Sequence, residues 1–150
     1  MKKLILLAAA ILAGYVYFSS QHGANLNNLS ASISDQGTSK ADAVIADAFA
    51  NHKSNLEVVG EGTVTRLLPD DNSGSRHQKF IVALSSGQTI LIAHNIDIAP
   101  KISSLREGDS VKFSGEYEWN EKGGVLHWTH RDPTGSHVAG WLKHKGQTYQ

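Results

Sequence analysis

The residues best suited to chemistry are concentrated near the C-terminal end of the chain, where histidines and an aspartate follow one another closely. They are His127, His130, Asp132 and His137. Imidazole and carboxylate ligands suit zinc and other first-row divalent ions. A water molecule bound to such an ion becomes a nucleophile near neutral pH. This stretch therefore indicates a divalent metal site, with or without hydrolytic chemistry.

The spacing of these residues restricts which of them could bind one ion. Successive side chains of a strand point to opposite faces, so His127 and His130 could chelate together only if the strand bulges. His130 and Asp132 share a face. The sequence therefore predicts a metal site at His130, Asp132 and His137, completed from a neighbouring strand by His94. The alternative, in which His130 and Asp132 are only a hydrogen-bonded pair at a turn, stays open.

A second set of polar and aromatic residues could bind a small polar ligand, a glycan or an oligonucleotide. Barrels of the OB class bind such ligands at the loops after their first and fourth strands, which the sequence places at 69–76 and 120–124. Tryptophans offer stacking surfaces there, and arginines could meet anionic groups. The candidate ligand-binding residues are Arg76, His77, Asp97, Glu118, Trp119, His127, Trp128 and Arg131. Trp119 also continues an apolar strand face, so burial in the core is its competing interpretation.

A third hypothesis is a metal-dependent phosphodiester hydrolase. Asp70, Asp71 and Arg76 fall in one predicted loop, and Arg131 follows the histidines. Such an enzyme needs a metal or general base near the phosphate and a cation to stabilise the developing charge. The residue types are present, but the sequence does not show that they converge, so whether the protein is an enzyme stays open.

Composition excludes several classes of protein. The formal net charge is zero, so no strong basic footprint is available for general nucleic-acid binding. The absence of cysteine excludes disulfides, thiolate metal sites and thiol catalysis. The chain instead carries eight histidines, which titrate near pH 6.5 when unperturbed.

The N-terminus resembles a targeting segment. Lys2 and Lys3 precede an uncharged apolar run that ends at Phe18, a pattern that predicts a signal peptide or membrane anchor over 1–18. The run is shorter than the roughly 20 residues that span a bilayer, and no small-x-small cleavage site follows it. We therefore expect export to the periplasm, with the chain anchored to the inner membrane, or released if the signal is cleaved. Residues 19–38 are polar and predict a flexible spacer.

The remaining chain predicts one helix followed by strands. Apolar residues at helical spacing indicate an amphipathic helix over 39–53. Period-two alternation and turn residues then predict strands at 57–68, 77–84, 88–94, 109–119 and 125–131, with one helical turn at 101–105. This order predicts an all-β fold, a five-stranded OB-like barrel over 57–150. A five-stranded SH3-like barrel is the alternative.

Several short motifs lie within this predicted barrel, including Arg76–Phe80, Ala93–Asp97, Gly115–Asn120 and His127–Pro133. Together they resemble an uncharacterised bacterial envelope family, a domain of unknown function. The resemblance implies a single-domain, OB-like exported protein and no activity that can be carried over. It also implies that the characteristic polar positions are His77, His94, Asn95, Asp97, Glu118, His127, His130, Asp132 and His137. The favoured function is therefore binding of a divalent metal or a polar ligand by the histidine cluster.

Overall fold

The described part of the chain, residues 40–150 of a computed structural model, consists of one helix and seven strands. The segments predicted at 1–18 and 19–38 lie outside these residues. Helix α1 spans 40–50. The strands are β1 (Leu56–Leu67), β2 (His77–Ala83), β3 (Thr89–Asn95), β4 (Ser110–Glu118), β5 (Val125–His127), β6 (Trp141–His144) and β7 (Gln147–Tyr149).

Five of the strands close into a barrel in the order β1-β2-β3-β5-β4, because β4 also pairs with β1. β3 and β5 run parallel, and the other neighbouring strands are antiparallel. The predicted all-β fold, a five-stranded OB-like barrel preceded by a helix, is therefore confirmed. β6 and β7 form a further hairpin beside β4, which the sequence did not predict.

The barrel core follows from the alternation of side chains along the strands. On β2, Phe80 and Val82 are fully buried while Ile81 between them is partly exposed. Phe113 and Tyr117 on β4 are likewise fully buried. Burial of each such side chain contributes about 1.5–3 kcal/mol, and this fixes which face of each strand turns inward.

Helix α1 packs on the barrel through the predicted apolar stripe. Its buried members are Ala41, Ile45 and Ala48, and Ile45 and Ala48 belong to the hydrophobic core. Val44, from the same stripe, is 38% exposed. Asp42 is also buried, and its carboxylate accepts a hydrogen bond of 3.0 Å from the amide of Ser86 in the β2–β3 turn. Within residues 40–150, no helix is long and apolar enough to cross a membrane.

The turn predicted at 101–105 is present, but it is a single hydrogen-bonded turn and not a helix. The Leu105 amide donates to the Ile102 carbonyl at 3.4 Å, and this part of the β3–β4 connection contains no helical residues. The side chain of Gln78 pairs with the backbone of Ile102 in both directions, donating to its carbonyl at 3.0 Å and accepting from its amide at 2.9 Å. This buried amide therefore fixes the turn to β2.

The fifth strand is much shorter than the predicted 125–131, because the chain turns away at Trp128. That residue has a φ of 52°, in the left-handed region, which an extended strand cannot accommodate. The chain then makes an excursion over 128–140 before returning as β6. β5 pairs with Glu116–Glu118 of β4 and β6 with Lys112–Ser114 of the same strand. The excursion therefore leaves and rejoins one edge of β4.

Candidate functional site

A row of ionisable side chains crosses three neighbouring strands of the barrel. Glu57 on β1 lies directly opposite Glu116 on β4, and Glu116 lies directly opposite His127 on β5. Directly opposed residues share a face of the sheet, with Cβ atoms about 4.5–5.5 Å apart. Like charges in such positions destabilise the pair. The row therefore favours a cation near its two carboxylates.

The excursion places a second imidazole against this row. The Nε2 atom of His137 lies 2.9 Å from Oε2 of Glu116 and 3.8 Å from Oε1 of Glu57. The side chains of His137 and Glu116 are only 19% and 16% exposed, so water screens their interaction only in part. Glu116 is thus the centre of the cluster.

The other ring nitrogen of His137 determines what Nε2 can do. Nδ1 lies 3.0 Å from the carbonyl oxygen of Val138, and a carbonyl can only accept, so Nδ1 carries a proton. In neutral imidazole, Nε2 would then turn a lone pair toward Glu116. Either a second proton or a metal ion must lie between them. Consistent with this, the hydrogen bond to Val138 and the one to Glu116 raise the pKa of His137 above its ordinary value of 6.5.

His127 approaches the same carboxylate from the other side. Its Nε2 lies 3.3 Å from Oε1 of Glu116. This nitrogen is nevertheless buried without a hydrogen-bond partner. It is close enough to the Glu116 oxygen for a hydrogen bond, but the two groups are not aligned for one. A buried polar atom without a partner is costly. The imidazole of His127 is therefore positioned beside Glu116 without being satisfied by it.

Trp128 holds His137 in place. The two rings stack with centroids 4.2 Å apart and planes 8° from parallel. The backbone of Trp128 is left-handed, and its indole lies against His137 of the excursion. Strained backbone of this kind is often found at binding sites.

Asp132 organises the excursion from within. Its carboxylate accepts hydrogen bonds from the amides of Thr134, Ser136 and His137 at 2.9, 2.7 and 2.9 Å. The hydrogen bond from the Thr134 amide, followed by that from the Thr134 hydroxyl, lowers the pKa of Asp132 to about 2. These bonds occupy the oxygens of a residue that the sequence assigned to a metal site.

The other predicted metal ligands, His94 on β3 and His130 in the excursion, are both buried. His94 is fully buried, with Nδ1 2.8 Å from the Thr129 hydroxyl and Nε2 3.2 Å from the Pro100 carbonyl. His130 is 4% exposed and its Nδ1 lies 2.9 Å from the Arg131 carbonyl. The two imidazole centroids are 6.5 Å apart.

Of the four predicted metal ligands, the structure brings only His137 into a cluster of possible ligands within residues 40–150. Two such clusters have ligand atoms within 4.8 Å of one another. One contains Glu57, Glu116 and His137, and the other contains Glu116, Glu118 and His127. The predicted set of His130, Asp132, His137 and His94 is not gathered around one point.

The predicted ligand-binding residues divide among several positions. Glu118 and His127 lie beside Glu116. Arg76 pairs with Asp97 at 2.7 Å, and Arg131 is exposed. Trp119 donates from Nε1 to the Phe49 carbonyl at 3.1 Å and packs against the core, which agrees with its interpretation as a core residue. His77, His127 and Trp128 line a common cleft with His130.

Sequence reasoning did not identify Glu57 or Glu116. The alternation of Glu116 and Glu118 with Tyr117 and Trp119 does predict that both glutamates face away from the core. Nothing in the sequence, however, gives the register that sets Glu57 opposite Glu116, since this pairing joins strands that are far apart along the chain.

Comparison with known proteins places this barrel in a family. The family model described as "Protein of unknown function (DUF3465)" matches residues 28–150. No match was found among curated proteins. The resemblance to a domain of unknown function is thereby confirmed, and the chain belongs to the DUF3465 family of proteins of unknown function.

Proposed function

We propose that this domain binds a divalent metal ion, of which zinc is the best match, through Glu57, Glu116 and His137. The observation that carries the proposal is the meeting of two opposed carboxylates with an imidazole Nε2 whose partner nitrogen is already protonated. A divalent cation would remove the repulsion between the two glutamates, and the Nε2 lone pair of His137 would coordinate it. The Nε2 atom of His127 lies beside the other carboxylate oxygen of Glu116.

The distances between the ligand atoms suit a small ion. Two ligands about 2.0–2.1 Å from zinc at a tetrahedral angle lie about 3.4 Å from each other. The observed separations from His137 Nε2 are 2.9 Å to Glu116 and 3.8 Å to Glu57. Side-chain shifts of about half an ångström would therefore reach the tetrahedral distance.

The surroundings of His137 support the same function. Histidines that bind metals commonly donate their other ring N–H to a carbonyl or carboxylate, which fixes the tautomer. His137 makes such a bond to Val138, and Trp128 restrains its ring by stacking. Three protein ligands would leave one position of a tetrahedral ion for water or a further ligand.

The competing interpretation is structural, in which a protonated His137 bridges the glutamates and only fastens the excursion to the barrel. Zinc titration calorimetry on the untagged full-length protein, freed of metal with a chelating resin, separates the two. We expect one zinc ion per chain. Glu116→Gln keeps the shape and a hydrogen-bond acceptor but removes the shared charge, and should weaken zinc binding on the order of a hundredfold.

Two further variants sharpen this test. Glu121→Gln makes the same change at an exposed glutamate of the β4–β5 loop and should leave zinc affinity unchanged. His130→Asn should also leave it unchanged, because His130 is not among the proposed ligands. Absence of zinc binding, or equal affinity in the Glu116→Gln and Glu121→Gln proteins, would exclude the proposed site.

A further inference from the structure

A second feature is a cleft of about 340 Å³ between the excursion and the adjoining ends of β2 and β3, which adjoins the proposed metal site at His127. Its position corresponds to the face of strands two and three, where OB barrels bind oligosaccharides and oligonucleotides. The lining residues used below are His77, Asn95, Ile98, Trp128, His130 and Asp132. None of these side chains belongs to the proposed set of metal ligands.

The cleft contains little unpaired charge. The Asp132 carboxylate is occupied by hydrogen bonds from its own loop. At the rim, Arg76 is paired with Asp97 by contacts of 2.7 Å from both its side chain and its amide. The site therefore suits an uncharged polar ligand better than an ion.

The two imidazoles of the cleft present acceptors. His77 Nδ1 lies 2.8 Å from the Ser75 carbonyl, and His130 Nδ1 lies 2.9 Å from the Arg131 carbonyl. Since carbonyls only accept, both Nδ1 atoms carry protons, and neutral rings therefore have acceptor lone pairs on Nε2. Neither Nε2 atom makes a hydrogen bond to the described residues, 40–150. Ligand hydroxyl groups are the natural donors to such atoms.

The apolar part of the cleft suits the carbon face of a sugar ring. His137 stacks on one face of Trp128, and the tilted ring of His130 lies 5.5 Å from the indole, centroid to centroid. The indole of Trp128 therefore lines the cleft next to His130. Ile98 is 45% exposed, which is high for a large apolar residue. Its side chain forms a second apolar wall of the cleft. Side by side, an aromatic surface, an aliphatic side chain and two hydroxyl acceptors match the alternating apolar and hydroxylated surfaces of a pyranose.

We propose that this cleft is a saccharide-binding site, with a pyranose ring against Trp128 and Ile98 and with ligand hydroxyls donating to Nε2 of His77 and His130. The site requires no metal ion and no covalent step. It would give the barrel a glycan as its binding partner, independently of the metal proposed above.

The test uses the full-length protein, freed of metal with a chelating resin, and three uncharged trisaccharides that differ in linkage or substituent, namely cellotriose, triacetylchitotriose and maltotriose. Nuclear magnetic resonance follows the ring nitrogens of the histidines and the indole N–H of Trp128. We expect at least one trisaccharide to shift the signals of His77, Trp128 and His130 saturably. Glycerol, which has hydroxyls but no ring, should not.

The matched variants are His77→Ala in the cleft and His52→Ala, which removes an exposed imidazole whose centroid lies 4.2 Å from that of Trp119. The first should weaken saccharide binding about tenfold, the effect of losing one good hydrogen bond, and the second should not. The proposal is overturned if no trisaccharide binds, if His77→Ala binds as tightly as His52→Ala, or if inorganic phosphate alone shifts the same signals. Because the protein is metal-free, these outcomes do not depend on the zinc titration.

Discussion

His94 shows how the surroundings of a single residue decide its chemistry. The sequence assigned it to a metal site, but the fold buries it completely and engages both ring nitrogens. The Pro100 carbonyl can only accept, so Nε2 carries the proton and Nδ1 accepts from the Thr129 hydroxyl. Burial lowers the pKa of His94 from 6.5 to about 4, so the imidazole is neutral at physiological pH.

This shift makes folding stability depend on pH in a defined direction. In the unfolded chain His94 takes up its proton near pH 6.5, whereas in the folded protein it does so only near pH 4. The contribution of His94 is therefore complete above pH 6.5 and is lost as the pH falls toward 4. We expect about 3 kcal/mol of unfolding free energy to disappear across this range. Urea unfolding curves at successive pH values would measure it.

The control for this prediction is His94→Gln, whose amide can still accept from Thr129 and donate to Pro100. The variant does not titrate, so its unfolding free energy should fall less steeply between pH 6.5 and 4 than that of the natural protein. Parallel pH dependences in the two proteins would show that His94 is not the group responsible.

His137 has the opposite effect on the pH dependence of stability. Its pKa is raised in the folded protein, so His137 stabilises the fold at low pH and this stabilisation is lost as the pH rises.

The elements could be predicted to different degrees. The helix and the five barrel strands were predicted because hydrophobic period reports burial directly. The end of β5 was not, because Trp128 is an ordinary residue in an unusual left-handed conformation that tertiary contacts impose. β6 and β7 span four and three residues, too few for a periodic pattern to stand out.

The return of the excursion depends on Gly140. A Cβ atom at this position would lie 2.0 Å from the carbonyl oxygen of Trp128 and 2.6 Å from that of Ser114. The amide of Gly140 also donates to the His130 carbonyl at 2.9 Å. Only glycine lets the two ends of the excursion approach β4 this closely, and this approach sets the position of His137.

We therefore expect Gly140→Ala to destabilise the fold by about 3 kcal/mol, because backbone atoms must move to admit the methyl group, and to weaken zinc binding by displacing His137. Gly135→Ala is the matched comparison within the same excursion. Gly135 has a φ of 70° and open space around it, so alanine there costs only about 1–2 kcal/mol of backbone strain. Urea unfolding of both variants would check the order, and an equal loss in both would contradict the close packing at Gly140.

At the scale of the whole molecule, the barrel was predictable while the site it assembles was not. The order of strands along the chain was enough to predict an OB-like barrel. The proposed ligands, in contrast, come from β1, β4 and the excursion, and they meet only through strand register and the path of one irregular segment. Local pattern therefore predicted His137 as a ligand, but not the two glutamates that lie beside it.

This dispersal of ligands along the chain implies that zinc should bind the folded protein and not the unfolded chain. Glu57 and His137 are brought together only by folding, so zinc binding should add directly to the unfolding free energy. At a free zinc concentration about one hundred times the dissociation constant, the gain is about 2.7 kcal/mol. For a chain of this size, that raises the Tm on the order of 10 °C.

Thermal unfolding followed by circular dichroism should show this rise in the natural protein and in Glu121→Gln, but not in Glu116→Gln at the same zinc concentration. An equal rise in Glu116→Gln would mean that zinc stabilises the protein from elsewhere on its surface, since the variant lacks the one carboxylate that touches both imidazoles.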